Sequence, residues 1–257
     1  MKAYDGYLFD LDGTIYLGDE LIPGADRTVA TLRERGARVQ FLSNKPIARR
    51  DSYATKLTKL GIPCSPADVV NSPLASARYL AGEHTGKRVM AMGEAPLKQE
   101  LQDAGVELTD RVEETDIVLV SWDREVCWAQ MDAAHQALRR GAGFFATNPD
   151  TVCPLEGGRT VPDCGAMIAY LEASTGRRLE VMIGKPSPII TRMALAEIGL
   201  EADRCLMIGD RLDTDMAMGR TAGLDTALVL TGVTDRAELE TSDARPTWVL
   251  ESVAEIE

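Results

Sequence analysis

Positive charge is in short supply in this chain of 257 residues: 28 lysines and arginines face 40 aspartates and glutamates, leaving a formal charge of −12. Such a balance disfavours a phosphate backbone or an anionic bilayer as the main partner, so neither nucleic acid nor membrane is expected to bind. An anionic ligand would have to be held locally by a metal ion, a lysine or backbone N–H groups. Paired cysteines are lacking too. Cys64, Cys127, Cys153, Cys164 and Cys205 are scattered, odd in number and without Cys-x-x-Cys spacing. That argues against a disulfide framework or a structural zinc site and fits reduced thiols in the cytoplasm. No apolar stretch approaches the ~18 residues of a membrane span, and the N-terminus has no apolar run of signal-peptide length. Histidine is nearly absent: His84 and His135 stand alone and read as surface or core residues, not as ligands. No short repeat or low-complexity tract is evident.

What is present is ordinary globular material, 45% hydrophobic, long enough for one large domain or two modest ones. Short apolar runs alternate with helical patterns. "YLFDLD", a helix over about 24–35, "ARVQFLSN" and a helix over about 48–60 open the chain. "EVMIGKP", a helix near 188–198, "RCLMIGD", a helix near 213–222 and "TALVLTG" close it. This alternation predicts an α/β fold, a Rossmann-like parallel sheet flanked by helices, with ligands at the carboxyl ends of the strands. The middle carries its own series: "KRVMAMG", a helix over 95–104, "DIVLVSW", a helix over 126–140, "GFFATN" and a helix near 165–175. It reads as a second α/β unit inserted into the first. The expected division is 1–82 with 181–257 as the core domain and 83–180 as the insert.

The chemistry is expected at strand ends. Asp10 and Asp12 close "YLFDLD", and on a continuing strand positions i and i+2 share a face. An acid at the end of an apolar strand is costly unless something meets it. Ser43 with Asn44, Lys185 and Asp210 end three further apolar runs, and "GDRLDTD" adds Asp213 and Asp215. Two acidic segments far apart in sequence suit a Mg²⁺ ion, which prefers carboxylate, carbonyl and water oxygens. Asp213, at a helix start, reads as a cap. Gly13 and Thr14 are expected to shape the turn after the strand, Gly13 permitting close backbone approach to a phosphate.

"DLDGT", "FLSN", "GKP" and "GDRLDTD", in that order, resemble the four motifs of haloacid-dehalogenase-superfamily phosphatases, and the resemblance runs nearly the whole length. "DLDGTIYLGDELIPGA", "ATNPD" and "ALVLTGVT" are similar to the NagD-like branch. The insert, lying between Ser43 and Lys185, resembles a C2-type cap. The resemblance implies that Asp10 is a nucleophile forming an aspartyl-phosphate and that Asp12 is the general acid and base, its carbonyl ligating Mg²⁺. Ser43, the N–H of Asn44 and Lys185 would hold the phosphoryl group. Asp10, Asp12 and Asp210 would hold the metal, and Asp215 would be a ligand or a partner of the lysine. In the insert, Asn148 and Asp150 of "ATNPD" are candidate leaving-group contacts, with an ordinary Asn-Pro-Asp turn as the alternative. The function implied is Mg²⁺-dependent hydrolysis of small phosphorylated metabolites, sugar phosphates foremost, with broad specificity. A homodimer through the insert is admitted by the resemblance without being fixed by it.

Two other readings compete. "CPLEGGRT" has the Cys-x5-Arg-Thr spacing of cysteine-dependent phosphatases, with Cys153 and Arg159 in the named roles. Against it, no histidine precedes the cysteine, Glu156 would repel phosphate, and no strong strand leads into it. The third reading is a phospholigand-binding regulator that keeps the fold without turnover. "GAGFFA" fits a dinucleotide glycine pattern but follows a helix and leads into a strand, the reverse of the required context.

Overall fold

The computed structural model describes residues 1–154 and 159–256. Two compact units emerge, one of residues 1–43, 50–70 and 185–257, the other of residues 44–49 and 71–184.

In the first unit β1 (Gly6–Asp10) is buried at every position, as expected of a parallel strand covered on both faces. It leads into a small antiparallel hairpin, β2 (Tyr16–Leu17) and β3 (Glu20–Leu21). Then come α1 (Ala25–Glu34), β4 (Arg38–Ser43), α2 (Arg50–Lys59) and β5 (Val69–Asn71). Tyr7, Phe9 and Phe41 line up as neighbouring rings between β1 and β4. Each fully buried aromatic of this kind stabilises the fold by about 1.5–3 kcal/mol.

The second unit begins its regular structure with α3 (Ser72–Glu83), absent from the sequence reading. The Asn71 side chain accepts the Leu74 N–H at 3.1 Å and Pro73 occupies the first turn, a strong start signal. Its periodicity is faint because Ser72 to Ala77 are all buried, leaving no polar face along the first half. α3 packs on α4 (Ala95–Asp103), so residues 71–82 fall in the second unit and not in the core expected to run to 82. A five-stranded parallel sheet, ordered β12-β9-β8-β6-β7, forms from β6 (Arg88–Met92), β7 (Glu107–Leu108), β8 (Ile117–Val120), β9 (Gly143–Ala146) and β12 (Val181–Met182). α5 (Trp128–Arg139) and α6 (Cys164–Thr175) flank it, and β10 (Val152–Pro154) pairs antiparallel with β11 (Thr160–Pro162). Met92, Val118, Val120, Phe144 and Leu171 fill this unit's interior.

β12 corrects one expectation. "EVMIGKP" is not a core strand ending in Lys185: its two strand residues pair with β9 inside the second unit. Lys185 follows on a loop, with a cis peptide bond to Pro186. The first unit then resumes with α7 (Pro188–Ile198), β13 (Cys205–Gly209), α8 (Ala217–Ala222), β14 (Asp225–Val229), α9 (Arg236–Thr241) and β15 (Trp248–Leu250). Ser187 caps α7 and Gly199, at φ 65°, ends it. The six-stranded sheet runs β15-β14-β13-β1-β4-β5, so β1 sits at its centre with strands from both ends of the chain beside it. Among the described residues, no helix is long and apolar enough to cross a membrane.

Candidate active site

Register brings the strand-end residues together. β1 is parallel to both neighbours, with Phe9 beside Ile208 on β13 and Asp10 beside Leu42 on β4. Asp10, Ser43 and Asp210 therefore reach one edge of the sheet, the edge where ligands bind in open α/β folds. Asp10, Asp210 and Asp215 are all buried and offer carboxylate oxygens within 4.8 Å of one another. Lys185, only 2% exposed, donates its ammonium to Asp10 and, at 2.7 Å, to Asp215 Oδ1. Asp215 Oδ2 accepts the Arg211 N–H at 3.2 Å, so both its oxygens are engaged.

The electrostatics are unbalanced. Burial, with the negative charges of Asp215 and Asp210, pushes the Asp10 carboxyl well above the ordinary aspartate range in spite of Lys185. Burial and Asp215 raise Asp210 to about 7. Lys185 is drawn down by burial, but Asp10 and Asp215 outweigh that and hold it above its usual value. Three buried carboxyls thus lie together with one ammonium that bonds two of them, a situation that becomes more favourable when a further cation is present. Asp210 makes the same point at atomic scale. Its Oδ2 accepts the Val233 N–H at 2.7 Å, while its Oδ1 is buried without a hydrogen-bond partner among the described residues. An unmet buried carboxylate oxygen beside two other carboxylates fits a hard divalent cation, so Asp10, Asp210 and Asp215 could hold one.

Two glycines make room for Asp210. A Cβ on Gly13, whose φ is +91°, would come 2.5 Å from Asp210 Oδ2, and one on Gly232 would collide with the same carboxylate. Gly13, expected to clear space for a phosphate, here clears space for an acid. Gly232 and Val233 follow β14 and lay beyond the sequence reading, since nothing in "LTGVT" marks a backbone N–H as an acid's partner. Thr14 is fully buried, with its hydroxyl lacking a hydrogen-bond partner among the described residues.

Asp12 is placed differently from the sequence reading. β1 stops at Asp10, and the N–H groups of Thr14, Ile15 and Tyr16 all converge on the Leu11 carbonyl at 3.3, 2.8 and 3.2 Å. The chain has turned, so the shared strand face does not extend to Asp12. It instead forms a bridge with Tyr16, and its carboxylate is not part of the buried triad. Asp213 is exposed and pairs with the Arg211 guanidinium at 3.2 Å.

A second group of polar residues lies within the inserted unit. Asn44, the residue after Ser43, donates its amide to Asp150 Oδ2 at 3.1 Å. Asn148 is buried; its amide nitrogen donates to Asp150 Oδ2 at 2.9 Å and Asp163 Oδ1 at 3.1 Å, while its Oδ1 accepts from Thr147 at 2.8 Å. Nothing in the sequence around Asp163 marks it as part of this group. It caps α6, and burial raises its carboxyl to about 6 against the pull of the Cys164 N–H and Asn148. Asp150, like Pro149, is half-buried, and its Oδ2 accepts from both Asn44 and Asn148. Cys153 is buried on β10, and Arg159 is exposed just before the antiparallel β11. Residues 155–158 of "CPLEGGRT", Glu156 included, lie outside the described residues. A segment flanked by antiparallel strands is unlike the strand-to-helix loop that presents a thiolate to phosphate.

The family comparisons converge with this geometry. The haloacid dehalogenase-like hydrolase family model matches residues 7–107, and a HAD-hydrolase-like model matches residues 182–256. The chain is 36% identical over 255 residues to the 5'-nucleotidase YutF of Bacillus subtilis, covering 99% of this chain and 98% of that one. It is 36% identical over 251 residues to the sugar-phosphatase AraL of the same organism, with 98% and 91% covered. The solved structure of NagD from E. coli K-12 superimposes with a TM-score of 0.90 at 33% identity, covering 100% of this chain and 99% of that one. With the acid cluster at the sheet edge, the interrupted core and full-length similarity all agreeing, this chain belongs to the haloacid dehalogenase-like hydrolase family, in its NagD-like phosphatase branch.

Proposed function

We propose that the protein is a Mg²⁺-dependent phosphomonoesterase that hydrolyses small phosphorylated metabolites, sugar phosphates foremost, through an aspartyl-phosphate on Asp10. The observation that carries this reading is the buried Asp10–Asp210–Asp215 group with Lys185, in which one Asp210 oxygen is left unmet. Asp10, Asp210 and the backbone carbonyl of Asp12 would hold the ion, which when bound neutralises charge on the phosphoryl oxygens. Asp215, with one oxygen on Lys185 and the other on the Arg211 N–H, fixes the lysine and joins the ion's surroundings.

Lys185 has two tasks in this reading. Before substrate arrives it favours the charged form of Asp10 against the cost of burial and aims the carboxylate; with substrate bound its ammonium stabilises charge on the transferred group. Ser43 and the Asn44 N–H orient two phosphoryl oxygens. Asp10 attacks phosphorus as the bond to the leaving oxygen breaks, and Asp12 gives that oxygen a proton. The carboxylate so formed then takes a proton from the water that hydrolyses the acyl phosphate.

Substrate breadth is part of the proposal. One relative is named for nucleotides and another for sugar phosphates, at the same identity to this chain. The reacting residues serve any phosphate monoester, so selection would fall to the inserted unit acting as a cap, with Asp150 contacting leaving-group hydroxyls and Asn148 holding Asp150. The test is phosphate release from p-nitrophenyl phosphate with Mg²⁺, with chelator, and with Asp10→Asn. Chelation and the substitution should each lower turnover by at least about a thousandfold. Undiminished turnover in either case would remove the basis for the reading.

A further inference from the structure

The hairpin after β1 is held by a residue from elsewhere in the first unit. Lys56 lies on α2, whose buried face is Tyr53, Ala54 and Leu57, so a lysine there reads in sequence as a solvated helix position. Its ammonium instead makes three contacts with the hairpin. It donates to the Gly18 carbonyl at 2.6 Å, lies 3.2 Å from Asp19 Oδ1 and stands 3.9 Å from the centroid of the Tyr16 ring. The three are unequal in strength. Asp19 is almost fully exposed, and such a pair contributes little. The carbonyl bond and the cation over a buried ring are the firmer holds, with Tyr16 only 4% exposed.

What Lys56 grips is continuous with the catalytic turn. The Tyr16 carbonyl accepts the Gly13 N–H at 2.7 Å, the Tyr16 N–H donates to Leu11, and Tyr16 bridges to Asp12. Residues 11–16 are therefore one hydrogen-bonded loop, its last residue under the Lys56 ammonium. We propose that Lys56 is a positioning residue for the acid function of Asp12: by fixing Tyr16 and Gly18 it sets where the Asp12 carboxyl stands relative to the departing oxygen. This rests on the role given above to Asp12.

The step concerned is specific. As the Asp10 oxygen bonds to phosphorus, the bond from phosphorus to the leaving oxygen breaks and its electron pair stays on that oxygen. An alkoxide then needs the Asp12 proton, whereas p-nitrophenolate departs as a resonance-stabilised anion without one. Displacing Asp12 should therefore penalise alkyl phosphates selectively. A loss of general fold integrity or of phosphate binding would penalise both substrates alike.

The experiment compares kcat/KM for p-nitrophenyl phosphate and a hexose 6-phosphate in wild type, K56M, K56R and D12N, all with Mg²⁺. K56M should lose about 10- to 100-fold on the hexose phosphate and less than about threefold on the aryl ester, a partial version of a general-acid deletion. K56R, keeping the cation and its reach, should recover most of the difference. D12N should show the same selectivity, more strongly. Equal losses on both substrates in K56M, or none on either, would overturn the inference while a selective D12N left the Asp12 reading intact. If D12N itself were unselective, the Asp12 role would fall and the inference with it. Should K56M fail to fold, K56Q supplies the same comparison.

Discussion

Each unit of this molecule buries aspartates, and each solves the problem differently. In the first, Asp10, Asp210 and Asp215 cluster, Lys185 bonds Asp10 and Asp215, and Asp210 Oδ1 is left unmet. In the second, Asp150 and Asp163 are bridged by the neutral amide of Asn148, with Asn44 and the Cys164 N–H supplying further donors. Burial raises a carboxyl in both places, to about 7 at Asp210 and about 6 at Asp163. The difference lies in what compensates it. Hydrogen-bond donors that belong to the chain finish the second cluster, so it acts as a brace within its own unit. The first cluster sets three carboxyls against one lysine, and the unmet Asp210 oxygen leaves room there for a cation. Buried acidity alone therefore does not mark a metal site; an unmet oxygen within a charge excess does.

The comparison can be broken most severely at Gly232. Adding a methyl there drives a Cβ into Asp210, so Gly232→Ala should lower turnover by about tenfold or more and destabilise the fold by about 1–3 kcal/mol, as overpacking typically does. Steady-state kinetics and a denaturant melt check both. A variant with normal kinetics would mean that the position of Asp210 is not critical.

Asp163 sharpens the comparison from the other side, through stability and not turnover. Its folded carboxyl, raised by burial from the ordinary aspartate range to about 6, binds a proton more tightly than the unfolded chain does. Stability should therefore fall as pH rises from about 4 to about 6 and stay at the lower level above that. Asp163→Asn keeps the Oδ1 acceptor used by Asn148 and Cys164 but has no charge to bury. It should lose this pH dependence and exceed wild type by about 1–3 kcal/mol near neutral pH, with turnover on p-nitrophenyl phosphate nearly unchanged. Melts at pH 4.5 and 7.5, taken as roughly bracketing the transition, decide it; equal stability of the two proteins at both would contradict the cost assigned to the buried Asp163 charge.

The gathering of residues at strand ends is legible in the sequence because apolar runs ending in acids are rare without a reason. Asp10, Ser43 and Asp210 arrive where parallel pairing with β1 puts them. Lys185 was singled out by the wrong route: it lies at no core strand end but on a loop, after a strand that pairs within the inserted unit. Legibility failed where a partner comes from far away or through the backbone. Val233 meets Asp210 through an N–H that every residue possesses, and Lys56 looks like any lysine on a helix until the hairpin lies beneath it. Asp163 has the form of an ordinary helix cap, which it is, and only the packing reveals that it also orients Asn148. α3 was overlooked because periodicity reports a polar face, and its first half has none. The first edge of the insert lies at 70 and not 82 because α3 belongs to it, and the second at 185 and not 181 because β12 pairs with β9.

The most direct measurement is the thermal response to Mg²⁺ alone, without substrate, of wild type, Asp210→Asn and Asp163→Asn. A ligand that binds the native state raises its melting temperature, the more so the further its concentration exceeds its Kd. Mg²⁺ should stabilise wild type and the Asp163 variant alike and leave the Asp210 variant unmoved. A Mg²⁺ response that survives loss of Asp210, or one absent from wild type, would contradict the claim that these buried acids are completed by a cation.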